Sequence, residues 1–72
     1  MMRVDDAKEV RDLCLNAIEN LSRALNTASG VADDVTLERI RKGVGVSIGS
    51  IDMRILSVLY ELHPDLDHLK EK

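Results

Sequence analysis

Apolar and small residues recur through the first half of the chain at Ala7, Val10, Cys14, Ala17, Leu21, Ala24 and Ala28. The steps alternate between three and four, which is the spacing of one face of an α-helix. Leu13, Ile18 and Leu25 widen the stripe, Leu15 points away from it, and Lys8, Glu9, Asp12, Asn16, Glu19, Arg23 and Asn26 form the opposite polar face. The pattern predicts a helix over about 6–29. Asp5 and Asp6 stand where a cap and negative charge near the positive end of the helix dipole belong, and Gly30 is placed to end the helix in a left-handed conformation.

A short acidic connection from Val31 to Val35 leads into a second stripe of Leu37, Ile40, Val44, Ile48, Ile51, Ile55, Val58 or Leu59, and Leu62, which His63-Pro64 interrupts. It predicts a helix over about 36–62, with residues 63–72 as a short tail. Thr36 is one candidate cap, with Val35 then packing on Ile40 as a hydrophobic staple; Asp34 is an equally legal cap. At 1.5 Å per residue the two helices would measure roughly 33 Å and 40 Å. Similar lengths and a short loop imply a single all-α domain, an antiparallel helical hairpin.

The segment Lys42 to Ser50 strains this reading. Val44-Gly45-Val46-Ser47-Ile48 alternates as a strand would, and Gly43, Gly45 and Gly49 each cost about 1 kcal/mol relative to Ala inside a helix. A lone strand would have nothing in this chain to pair with, whereas the helical stripe passes through the glycines in register. The continuous helix is therefore the better reading. On it, Gly45, Val46, Gly49, Met53, Leu56 and Tyr60 gather on a second apolar face, rotated away from the Ile40-to-Ile55 stripe.

A two-helix hairpin has nothing to cover that second face. Size sharpens the point, because 72 residues with a single cysteine can draw only a few kcal/mol from their own core and have no disulfide to add to it. Pairing of hairpins into a four-helix bundle, as a homodimer or higher assembly, is the simplest remedy, with the chain itself as the expected partner and Gly45, Val46, Gly49, Met53, Leu56 and Tyr60 as the expected interface. A helix interface without Phe or Trp would rest on aliphatic side chains, Met53 and Tyr60.

Charge and composition narrow the function classes. The hydrophobic fraction of 44% suits a folded domain, while a net charge of −3 disfavours general affinity for nucleic acid or anionic lipid. Arg39, Arg41 and Lys42 form the one basic cluster that a nucleic-acid-binding dimer would use; as a solvated face they would simply balance Asp33, Asp34 and Glu38. The lone Cys14 fits a reducing, cytoplasmic setting, and no export signal or membrane span is expected.

Motifs for chemistry are sparse. Gly43-Val44-Gly45-Val46-Ser47-Ile48-Gly49 is one residue too long for a dinucleotide-binding loop and lacks a preceding strand. His63, Asp65, Asp67 and His68 could gather around a metal only if the tail turned after Pro64, and Cys14 lies on the apolar stripe with no neighbouring histidine to activate it. No cofactor, metal or catalytic residue is expected. The reading is a non-enzymatic, self-associating interaction or regulatory module, with the basic-cluster nucleic-acid binder as the alternative.

Overall fold

In the computed structural model, which describes residues 2–66, two long helices lie against each other as a hairpin. Helix α1 runs Val4–Ser29 and α2 runs Asp34–Ile51; α2 passes directly into a π-helical turn, Asp52–Leu56, and then into α3, Ser57–Leu62. A 3-10 turn, Pro64–Leu66, follows. The glycine segment is helical throughout, and no strand occurs among the described residues.

The helix ends differ from the sequence expectation in three places. Helix α1 starts early enough that Asp5 and Asp6 lie inside its first turn, where they complement the dipole; Arg3 is the cap residue and makes no side-chain capping bond. Gly30 keeps a right-handed φ of −91°, because its own N–H reaches the Thr27 carbonyl and Val31 and Ala32 both donate to Ala28, so the released carbonyls find partners without a left-handed residue. At the start of α2 the cap is Asp33, whose Oδ1 accepts from the Thr36 N–H at 2.8 Å. Thr36 is thus the residue being capped, and Val35 stays 72% exposed with no staple to Ile40.

That capping bond holds the Asp33 carboxyl below its ordinary value of 3.8. A lowered folded-state value means that the bond stabilises the fold above the unfolded-state value and that this contribution disappears as the pH falls through the folded one. In urea melts from pH 7 down to pH 2, the stability difference between the native chain and Asp33→Ala is expected to be constant at neutral pH and to vanish below the carboxyl's folded-state value. A difference that persists at pH 2 would remove the carboxylate cap from the account.

The core is small. Ala7, Leu56, Leu59 and Leu66 are its buried residues, with Val10, Cys14, Ile18, Ile51 and Tyr60 packed around them. Arg11 is also buried; its Nη1 donates to the Leu66 carbonyl at 3.2 Å, while Nε and Nη2 reach Asp12 Oδ1 at 3.1 and 3.0 Å. This guanidinium closes the C-terminal turn over α1, and no buried side-chain donor or acceptor is unsatisfied among the described residues.

The π-turn decides which residues enter that core. Up to Ile51 the inward stripe follows the expected steps, with Leu37, Ile40, Val44, Ile48 and Ile51 all half-buried. The next inward residue is Leu56, five positions on, and the Ser57 N–H correspondingly donates to the Asp52 carbonyl five residues back. One residue more than an α-turn rotates everything beyond it by about 100°. Leu56 and Leu59 are 3% exposed as a result, while Ile55 and Val58, placed inward by an uninterrupted stripe, are 42% and 49% exposed. The carbonyl of Met53, within the turn, accepts from the Ser57 hydroxyl. Leu13, expected to widen the α1 stripe, is 61% exposed on its flank.

Candidate self-association surface

The molecule measures 45 × 25 × 16 Å, the proportions of a single layer of helices about 10–12 Å in diameter. Each helix is therefore open to solvent on both flanks as well as on its outer side. Four apolar residues are buried, against eleven large hydrophobic residues left exposed among those described. The exposed ones include Val46, Met53, Ile55, Val58 and Leu62, all on α2, the π-turn and α3.

The six residues expected to form a second apolar face separate in the structure. Val46 and Met53 are 70% and 75% exposed, Gly45 is exposed, and Gly49 is half-buried. Leu56 and Tyr60 belong to the hairpin's own core, Leu56 buried and Tyr60 packed against it. The π-turn is the cause, since it carries both residues from the outer side to the side facing α1, and brings Val58 out in their place.

Allowing for that rotation, Arg39, Lys42, Val46, Met53, Val58 and Glu61 fall within about 60° of one another around the helix axis. All six are exposed. Their order is two bases, three apolar residues and an acid, with the exposed base Arg54 beside Met53. Gly49 and Ser50 sit midway along this face, one on either side of its centre line. A Cβ added at Gly43, Gly45 or Gly49 would meet nothing within 4 Å, so nothing in the hairpin itself requires glycine at any of these positions.

The basic cluster divides in the same way. Arg41 Nη1 pairs with Glu38 Oε1 at 2.7 Å, an exposed pair one helical turn apart. Arg39 and Lys42 have no ion-pair partner among the described residues.

Other candidate groups have structural surroundings. Cys14 is half-buried against the core. His63 is half-buried with Nε2 at 3.0 Å from the Met2 carbonyl, which ties the start of the chain to the end of α3. Of the tail residues considered as metal ligands, Asp65 is exposed and Asp67 and His68 lie outside the described residues; among those described, no group of three His, Cys, Asp or Glu side chains could hold a metal.

The 29-residue helical run Asp34–Leu62 is long and apolar enough to cross a membrane by length and composition. Asp52 and Arg54 lie within its apolar part, and a charged residue at the bilayer centre costs about 2.5–3.5 kcal/mol on insertion scales. Arg11 stands on the inward side of α1, four positions after Ala7 and three before Cys14, a place the apolar pattern passed over because the residue is charged; its guanidinium finds an acceptor in the Leu66 carbonyl, far along the chain. Comparisons with protein-family models, with curated proteins and with solved structures find nothing that matches this chain.

Proposed function

We propose that this chain is a non-enzymatic, self-associating helical module that completes its core by packing a second copy, two hairpins forming a four-helix bundle with an interaction or regulatory role in the cytoplasm. The observation that carries the reading is the single helical layer, with four buried apolar residues against eleven exposed large ones among the described residues.

Sedimentation equilibrium at micromolar concentration is the direct test. At least twice the chain mass of 8.0 kDa is expected, together with a melting temperature that rises with protein concentration. A species of 8.0 kDa that unfolds cooperatively at every concentration would overturn the reading. Two further measurements separate the competing assignments. An RNA or DNA probe shifted in a steeply salt-dependent way, and no longer shifted when Arg39, Arg41 and Lys42 become Ala, would move the assignment to nucleic-acid binding. Flotation with neutral lipid vesicles that resists carbonate extraction would move it to the membrane, on the strength of the Asp34–Leu62 run.

A further inference from the structure

Resting on the self-association reading, we propose that the second copy docks antiparallel on the outer face of α2, the π-turn and α3, with the two-fold axis beside Gly49 and Ser50. Arg39 and Lys42 of each copy then meet Glu61 of the other. The order of charge along the face carries the argument. A two-fold contact between identical surfaces requires that whatever residue i touches on the partner be touched in return. Arg39 and Glu61 are equidistant from Ser50 in the sequence, as are Lys42 and Val58, and Val46 and Met53 flank the same midpoint. Antiparallel docking about that point therefore sets Arg39 opposite Glu61 at both ends and Val46 and Met53 against each other near the axis, with Lys42 lying over Val58 and its long side chain extending toward the partner's Glu61. Parallel docking would set Arg39 on Arg39 and Glu61 on Glu61, which is repulsive.

Three further observations agree with this geometry. Arg39, Lys42 and Glu61 make no ion pair with any other described residue, so the charges that would cross the contact are uncommitted within the hairpin. Val46, Met53 and Val58 are 70%, 75% and 49% exposed and form the only apolar band between them on this face among the described residues. At the midpoint, Gly49 and Ser50 are small, and axes approach closest where the side chains between them are smallest. Gly49 thereby acquires a role that the isolated hairpin does not give it, since a Cβ there would meet nothing within 4 Å.

A charge-swap experiment on the full chain tests the geometry. Glu61→Lys makes the face basic at both ends, and the double variant Arg39→Glu with Lys42→Glu makes it acidic at both ends. Each variant alone is expected to dimerise about tenfold or more weakly than the native chain in sedimentation velocity, because every cross-contact becomes like-charged. An equimolar mixture is expected to recover near-native affinity as a heterodimer, in which both ends are again opposite. All three side chains are exposed, and circular dichroism of each variant checks that the helices are intact. If the native chain dimerises but the variants do so equally well, or the mixture fails to recover, this face is wrong and self-association stands. If the native chain sediments at 8.0 kDa throughout, the self-association reading has itself failed.

Discussion

Truncating Leu56 to Ala is expected to cost about 2–5 kcal/mol, the range for emptying a buried leucine site. The same truncation one residue earlier, Ile55→Ala, is expected to cost about 1 kcal/mol or less, because a partly exposed side chain gives up little buried area. Leu56 is 3% exposed and belongs to the cluster with Ala7, Leu59 and Leu66, whereas Ile55 is 42% exposed. An uninterrupted α-helix reverses the order, with Ile55 inward and Leu56 outward. Paired urea melts of the two variants therefore report the register of the helix beyond residue 51. A larger loss from Ile55→Ala than from Leu56→Ala would place the π-turn in error. The Leu56 effect is also large against the whole, since a domain of this length draws only about 3–5 kcal/mol from its core.

Deleting one residue should have opposite consequences inside and outside the π-turn. Removal of Arg54, an exposed residue within Asp52–Leu56, leaves Leu56 four positions after Ile51, so an ordinary α-helix can carry Leu56 and Leu59 to the same side as before. Helical content and melting temperature are expected to stay close to native. Removal of Ser47, exposed in the middle of α2, rotates everything beyond it by about 100° and takes Leu56, Leu59 and Tyr60 away from Ala7. That loss exceeds the stability of a small domain, and a largely unfolded chain is expected by circular dichroism. Equal tolerance of both deletions would mean that packing against α1 does not set the register.

Why the helix accepts a π-turn can be traced to what the rotation gains. Without it, the inward residues would be Ile55, Val58 and Leu62, which end the stripe on three contacts along one line. With it, Leu56 and Leu59 face Ala7, Tyr60 packs beside them, and His63 is brought close enough to the start of the chain for its ring to reach the Met2 carbonyl. The chain can then turn through Pro64–Leu66 so that Leu66 closes the core and its carbonyl accepts from Arg11. Ala7 is the small residue that leaves room for the leucines, and it is fully buried. The cost is one disturbed helical turn, in which the Ser57 hydroxyl satisfies the Met53 carbonyl.

What the sequence by itself determined were the two long helices, their hairpin arrangement and the inward residues of the second helix as far as Ile51, because each follows from spacing within a few turns of one helix; on α1, Ala17 and Ala24 of the expected stripe are exposed. The glycines at 43, 45 and 49 did not break α2, since Val44 and Ile48 between them stay half-buried on the inward stripe and the glycine penalty is local and modest. The basic cluster Arg39, Arg41 and Lys42 was also legible, but its alignment with Glu61 on one face was not, because it depends on the rotation at the π-turn. Tertiary structure alone decided the rest. The choice of Leu56 over Ile55 cannot be read from periodicity, because both continuations of the stripe are apolar, and only contact with Ala7 and the closing turn at Leu66 favours one. Arg11 falls at the inward spacing between Ala7 and Cys14, but a charged side chain can stay buried there only because the Leu66 carbonyl, 55 positions away, accepts its hydrogen bond. Both decisions depend on residues at opposite ends of the chain meeting, an energy that no local pattern contains.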